Sequence, residues 1–160
     1  MQLTLVRHGE AAPPVDGNDA KRPLTALGHA QAEQTAQYLN GIVSPEVFVV
    51  SPLLRAQETL GHIQAYFPEV PVLLCDKIKP DDDAEDAIDW LSQLPFESVV
   101  VVCHMNVVGH IAEQLTHENF NPFALAEARI YRQSVIANGL STQEHSFIPV
   151  SYTHLRAHET

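Results

Sequence analysis

Val99-Val100-Val101-Val102-Cys103 limits the fold more than any other stretch of the chain. Five consecutive apolar residues leave no side for water, so the segment reads as a strand buried on both faces. Such strands lie inside parallel sheets that helices cover on each side. Residues 2–7 form another short apolar run, and Glu46–Val50 and Val70–Cys75 supply two more strands. Between them the apolar period changes from strand-like to helical. Thr25 can cap a helix that runs to Asn40, with Gly41 as its stop. Ser51-Pro52 predicts an N-cap followed by proline at the first helical position. Leu53, Ala56, Leu60, Ile63 and Phe67 then follow at helical spacing, a stripe that faces a core. Asp81–Leu94 reads as an acidic helix, and Val108, Ile111 and Leu115 share one face of a further helix. Residues 129–137 and 142–148 flank Asn138-Gly139, a hairpin signal. The expectation is an α/β fold: a single-domain three-layer αβα sandwich with a mainly parallel sheet and a C-terminal antiparallel hairpin.

That domain is expected to span residues 1–149. Residues 150–160, Val150-Ser151-Tyr152-Thr153-His154-Leu155-Arg156-Ala157-His158-Glu159-Thr160, resemble the in-frame translation of a transposase adapter used in sequencing libraries. They are set aside as a read-through tail, with the natural C-terminus lost beyond about residue 149. The first residues lead straight into a strand and lack the features of a signal peptide, so a cytoplasmic protein is expected. No apolar run reaches the ~18 residues of a membrane span. A formal net charge of −11 disfavours nucleic acid and anionic lipid, because phosphate neutralisation needs clustered Lys and Arg. Cys75 and Cys103 lie in apolar strands and read as reduced, buried thiols. The nine histidines fall into no metal-ligand spacing, so neither a metal nor a cofactor is expected.

In an open α/β sheet, ligands sit beyond the carboxyl ends of the strands. Three polar segments fall there: Arg7-His8-Gly9 after the first strand, Ser51–Arg55 after the second, and His104 after the fourth. Alone, each has an ordinary reading. Arg55 could pair with Glu58 one turn on, and His104 could be a satisfied core histidine. Together they form a pocket for a dianion. Arg7 and Arg55 offer planar forks that fit a phosphoryl group. His8 is the candidate nucleophile, because a neutral imidazole nitrogen can carry phosphorus covalently once its other nitrogen is held by an acceptor. His104 would help stabilise the transferring oxygens. Gly9 removes bulk beside the nucleophile. The run Asp81-Asp82-Asp83, with Glu85 and Asp86, reads as a solvated helix start, or as the source of a catalytic acid.

Leu5-Val6-Arg7-His8-Gly9-Glu10, Arg22-Pro23-Leu24-Thr25, Ser51-Pro52-Leu53-Leu54-Arg55-Ala56-Gln57-Glu58-Thr59 and Val101-Val102-Cys103-His104 occur in this order. Together they resemble the signature blocks of the histidine phosphatase (phosphoglycerate mutase-like) superfamily. The resemblance implies a phosphatase in which His8 is phosphorylated and Arg7, Arg55 and His104 complete the pocket. The short segment between the third and fourth strands is similar to that of SixA-type phosphohistidine phosphatases. These act on the phosphorylated histidine of HPt-like or other phosphocarrier proteins, and the resemblance brings Arg22 to the phosphate or to the substrate protein. A monomer is expected. Two other readings stand beside it: a small-molecule phosphomonoesterase or mutase on the same scaffold, and a non-catalytic phosphate-binding module. The last is disfavoured, because binding needs the arginines but not a nucleophile.

Overall fold

The computed structural model describes residues 1–150. Of the expected adapter-like tail, residues 150–160, all but Val150 lie outside the described residues. Eleven elements follow one another: β1 (Gln2–Arg7), a 3₁₀ turn (Asp19–Lys21), α1 (Ala26–Asn40), β2 (Val47–Val50), α2 (Leu54–Gln64), β3 (Val72–Leu74), α3 (Ala84–Ser92), β4 (Ser98–Cys103), α4 (Val107–Thr116), β5 (Ala128–Arg132) and β6 (Thr142–Phe147). One six-stranded sheet runs β3-β2-β4-β1-β5-β6. β3, β2, β4 and β1 are mutually parallel, whereas β5 and β6 add as antiparallel strands.

The sheet explains why β4 needs an apolar side chain at each position from Val99 to Cys103. It lies between β1 and β2, and alternate residues leave on opposite faces. Val99, Val101 and Cys103 pack with α3 and α4 in one core. Val100 and Val102 pack with α1 and α2 in the other. The molecule is therefore the expected α/β sandwich, with two helices on each side of the sheet.

Several boundaries differ from expectation. Thr25 does cap α1, its side chain accepting the Gly28 N–H. Ser51 does not cap α2. That helix begins two residues after Pro52, and the Ser51 hydroxyl instead lies 3.2 Å from the Leu53 nitrogen and 2.7 Å from His104 Nε2. The acidic helix starts at Ala84 rather than Asp81, because Asp83 is its N-cap and Asp82 accepts the Lys79 N–H in the preceding turn. β3 is shorter than Val70–Cys75. The C-terminal strands pair as predicted, but Asn138-Gly139 is not a two-residue hairpin. Pairing stops at Arg132 and Thr142, and residues 133–141 detour to α4. There Gly139 and Ser141 donate their N–H groups to the carbonyls of Gln114 and Leu115. Gly139 takes the left-handed conformation, at φ +74°, that this detour requires.

Candidate active site

The parallel register of β1 and β4 builds the centre of the site. Arg7 pairs with Cys103, so the next residue of each strand, His8 and His104, emerges at the same height. Their ring centroids lie 5.0 Å apart. β2 ends beside them at Ser51, and α2 then places Arg55 in its first turn. The residues predicted from three distant segments therefore meet at the carboxyl edge of the sheet. Arg7, His8, Arg22 and Arg55 line a cavity of about 510 Å³, with Glu10, Asp19, Pro80, Asp81, Met105 and Asn106 among its other walls.

His8 is 8% exposed. Its Nδ1 lies 2.6 Å from the Gly9 carbonyl oxygen. A carbonyl only accepts, so Nδ1 carries the proton and Nε2 keeps its lone pair. Burial lowers the imidazole pKa to about 4; the Gly9 carbonyl opposes that shift, and Arg55, Arg7 and Arg22 add to it. The ring is neutral at pH 7, which is the form a nucleophile needs. Gly9 itself is bare for a packing reason. A Cβ there would meet the Gly28 carbonyl oxygen at 2.5 Å, where the loop crosses the start of α1. The Gly9 N–H donates to Thr59 Oγ1, 3.1 Å away.

His104 stands behind His8 and is fully buried. Its Nε2 contacts Ser51 Oγ at 2.7 Å, while its buried Nδ1 has no partner among the described residues. Burial lowers its pKa to about 2, and His8 and Arg55 push the same way. Two amides at the start of α4 are engaged elsewhere, since the Asn106 and Val107 N–H groups both go to the Pro80 carbonyl.

The arginines are held by carbonyls and one carboxylate. Arg7 donates to the Phe123 carbonyl at 2.8 Å and keeps a buried, unpartnered Nε. Arg55, 3% exposed, donates to the Asp19 carbonyl at 2.9 Å and to Asp19 Oδ2 at 3.2 Å, and its Nε is likewise unpartnered. Arg22 reaches the Ala12 carbonyl and Asp19 Oδ1.

Several contributors were invisible to the sequence reading. Asp19 bridges two arginines from a loop. Thr59 supports Gly9 and donates to the Arg55 carbonyl. The 121–127 segment fixes both Arg7 and His8: the Phe123 and Glu127 carbonyls accept from Arg7, and Ala126 N–H donates to the His8 carbonyl. A buried pair, Glu127–Arg129 at 2.6 Å, holds that segment, with Arg129 also donating to the Asn121 and Pro122 carbonyls and stacking over Phe123. Two sequence signals were available: Thr59 closes the Ser51–Thr59 block, and Glu127 and Arg129 stand at i,i+2. Of the acidic run, Asp81 lines the cavity and bonds Asn106, whereas Glu85 faces a different depression. No group of three or more His, Cys, Asp or Glu among the described residues is placed to hold a metal ion. No helix among them is long and apolar enough to cross a membrane.

The two buried imidazoles set a pH dependence. Both have folded pKa values below the unfolded value of about 6.5, so the unfolded chain binds protons first as pH falls. Their contribution to stability is complete above about pH 6.5 and is lost on acidification toward pH 4 for His8. Thermal unfolding between pH 7.5 and 4 should therefore show a melting temperature that falls with pH, with a shallower slope in His8→Asn. Equal slopes would mean that His8 is not a buried neutral ring.

Two histidines and three arginines at the carboxyl edge of a mainly parallel sheet define an α/β protein that handles phosphoryl groups. The chain belongs to the histidine phosphatase superfamily (branch 1), whose family description matches residues 3–79, and it is a phosphatase of that superfamily. Among solved structures, the protein histidine phosphatase SixA complexed with tungstate is 26% identical, with a TM-score of 0.81, over 93% of this chain and 97% of that one. A putative phosphohistidine phosphatase SixA from Agrobacterium tumefaciens is 20% identical with a TM-score of 0.82, over 92% of this chain and 97% of the other. One from Nakamurella multipartitia is 21% identical with a TM-score of 0.81, over 94% and 96%. No curated protein matches the chain.

Proposed function

We propose that the chain is a phosphohistidine phosphatase that removes the phosphoryl group from a histidine of an HPt-like or other phosphocarrier protein. The observation that carries this reading is the fixed tautomer of His8, with a neutral Nε2 inside a cage of arginines. In the first step Nε2 attacks phosphorus and forms a P–N bond. The bond to the substrate imidazole breaks, and that nitrogen keeps the electron pair and takes a proton from solvent. In the second step water attacks the phosphohistidine, releasing phosphate and a proton and restoring His8. Arg7 and Arg55, which line the cavity, would stabilise the oxygens during each transfer, while His104 lies buried behind His8 and packs against the attacking ring. An imidazole leaves more readily than an alkoxide and needs less acid assistance. The short β3–α3–β4 segment leaves the cavity mouth open to a protein-borne substrate. Similarity to a SixA structure that binds tungstate, a tetrahedral oxyanion like phosphate, supports the same reading.

Asp81 on the cavity wall favours a second reading, a small-molecule phosphomonoesterase or mutase with that carboxyl as proton donor. One comparison separates the two. The purified protein is assayed on a phosphohistidine-bearing HPt domain and on a panel of phosphate esters, with Asp81→Asn in parallel. Rapid hydrolysis of phosphohistidine, little changed in Asp81→Asn, is expected. Preferred ester turnover that collapses in the variant would overturn the first reading in favour of the second.

A further inference from the structure

Asp19 is the one acidic side chain bonded to the arginines of the cavity among the described residues, and its geometry is specific. Its carboxylate lies between Arg22, 3.1 Å from Oδ1, and Arg55, 3.2 Å from Oδ2. Its own carbonyl takes a further N–H of Arg55. Yet the side chain remains 58% exposed, whereas Arg55 below it is almost wholly buried. Asp19 therefore stands at the rim, above a guanidinium whose buried Nε still lacks a partner.

In-line transfer fixes what passes that rim. The attacking and leaving atoms lie on opposite sides of phosphorus. His8 attacks from the floor, so the leaving half of the substrate points to the mouth, where Asp19, Glu10 and Asp81 supply three carboxylates. These are immobilised: Glu10 accepts from Thr25 Oγ1, and Asp81 accepts from Asn106. Within one cavity the three guanidiniums of Arg7, Arg22 and Arg55 are thus matched by three carboxylates, with Arg55 buried beneath the exposed Asp19.

We propose that Asp19 is a specificity-determining residue that favours leaving groups departing neutral or cationic and rejects those that carry a carboxylate of their own. Partial burial opposes ionisation of the carboxylate, but bonds from Arg22 and Arg55 hold its pKa below the usual range, so it carries its charge at neutral pH. A protonated imidazole leaving the mouth meets an opposite charge; a carboxylated alcohol meets a like one. Selectivity of this kind comes from repulsion of the wrong substrate as much as attraction of the right one.

The inference deepens the phosphohistidine reading, but it is tested on charge alone. Phosphoethanolamine and phosphoglycolate are phosphate esters of similar size whose leaving halves carry an ammonium and a carboxylate. Their relative kcat/KM is measured with the wild type, Asp19→Asn and Asp19→Glu. Where an ester is not turned over, its inhibition constant against hydrolysis of the fastest substrate replaces kcat/KM. The wild type should prefer phosphoethanolamine, and Asp19→Asn should shrink that preference about tenfold. Asp19→Glu, which restores the charge, should recover most of it. A variant that slows both esters equally would overturn the proposal and leave Asp19 as a support for the arginines. A wild type inert toward phosphohistidine, with the charge preference still lost in Asp19→Asn, would overturn the phosphohistidine reading and uphold this one.

Discussion

His8→Ala is expected to lower turnover by on the order of 10⁴-fold or more, the scale seen when a covalent catalyst loses its nucleophile. The same variant should form no acid-labile, base-stable phosphoprotein when the wild type is quenched during turnover. No neighbour can take over the attack. His104 is the nearest ring, at 5.0 Å between centroids, but it is fully buried behind His8 and engaged by Ser51. Loss of fold would not account for the result either. The backbone of residue 8 is held by Cys103 and Ala126 through bonds that alanine also makes. Phosphate binding should survive, because the arginines are anchored by Phe123, Ala12 and Asp19 and not by the imidazole. A phosphoprotein that persists in His8→Ala would assign the nucleophile elsewhere.

Much of this site could be read without coordinates, for a simple reason. Residues at strand ends are placed by the sheet, and β4 announces its central position through its unbroken apolar run. Arg7, His8 and His104 follow from register, and Arg55 follows from the short link between β2 and α2. What the sequence concealed depends on how loops travel. Asp19 reaches Arg55 only because the 8–23 loop folds back over α2. The Phe123 and Gly9 carbonyls act through backbone oxygen, which every residue has and which therefore leaves no mark in a sequence. Ser51 misled in a different way. Its place before Pro52 is a good capping signal, but a buried imidazole competed for the hydroxyl, and the helix began later without a side-chain cap. Asn138-Gly139 likewise gives a true turn signal, yet bonds to α4 widened the turn into a detour.

Arg55→Ala should cost at least about 10²-fold in kcat/KM, the range for removing a preorganised donor to a transferring group. The structure gives a second reason for a large effect. Arg55 and Asp19 are partners, so deleting the guanidinium leaves the Asp19 charge at the mouth balanced by Arg22 alone while removing a cation from the floor. An incoming dianion then faces repulsion where it met a fork, and KM should rise as kcat falls. Arg55→Lys keeps the charge but not the planar pair of donors, and should recover only part of the loss. Arg22→Ala should be milder, because Arg22 is more exposed and spends its Nε on Ala12. The double variant Arg55→Ala/Asp19→Asn separates the two contributions, since it removes the guanidinium without leaving the carboxylate charge. If Arg55 acted only by neutralising Asp19, the double variant would return to wild-type rates. Recovery of the KM with kcat still depressed is the expected result, and it would place Arg55 on the phosphoryl oxygens themselves.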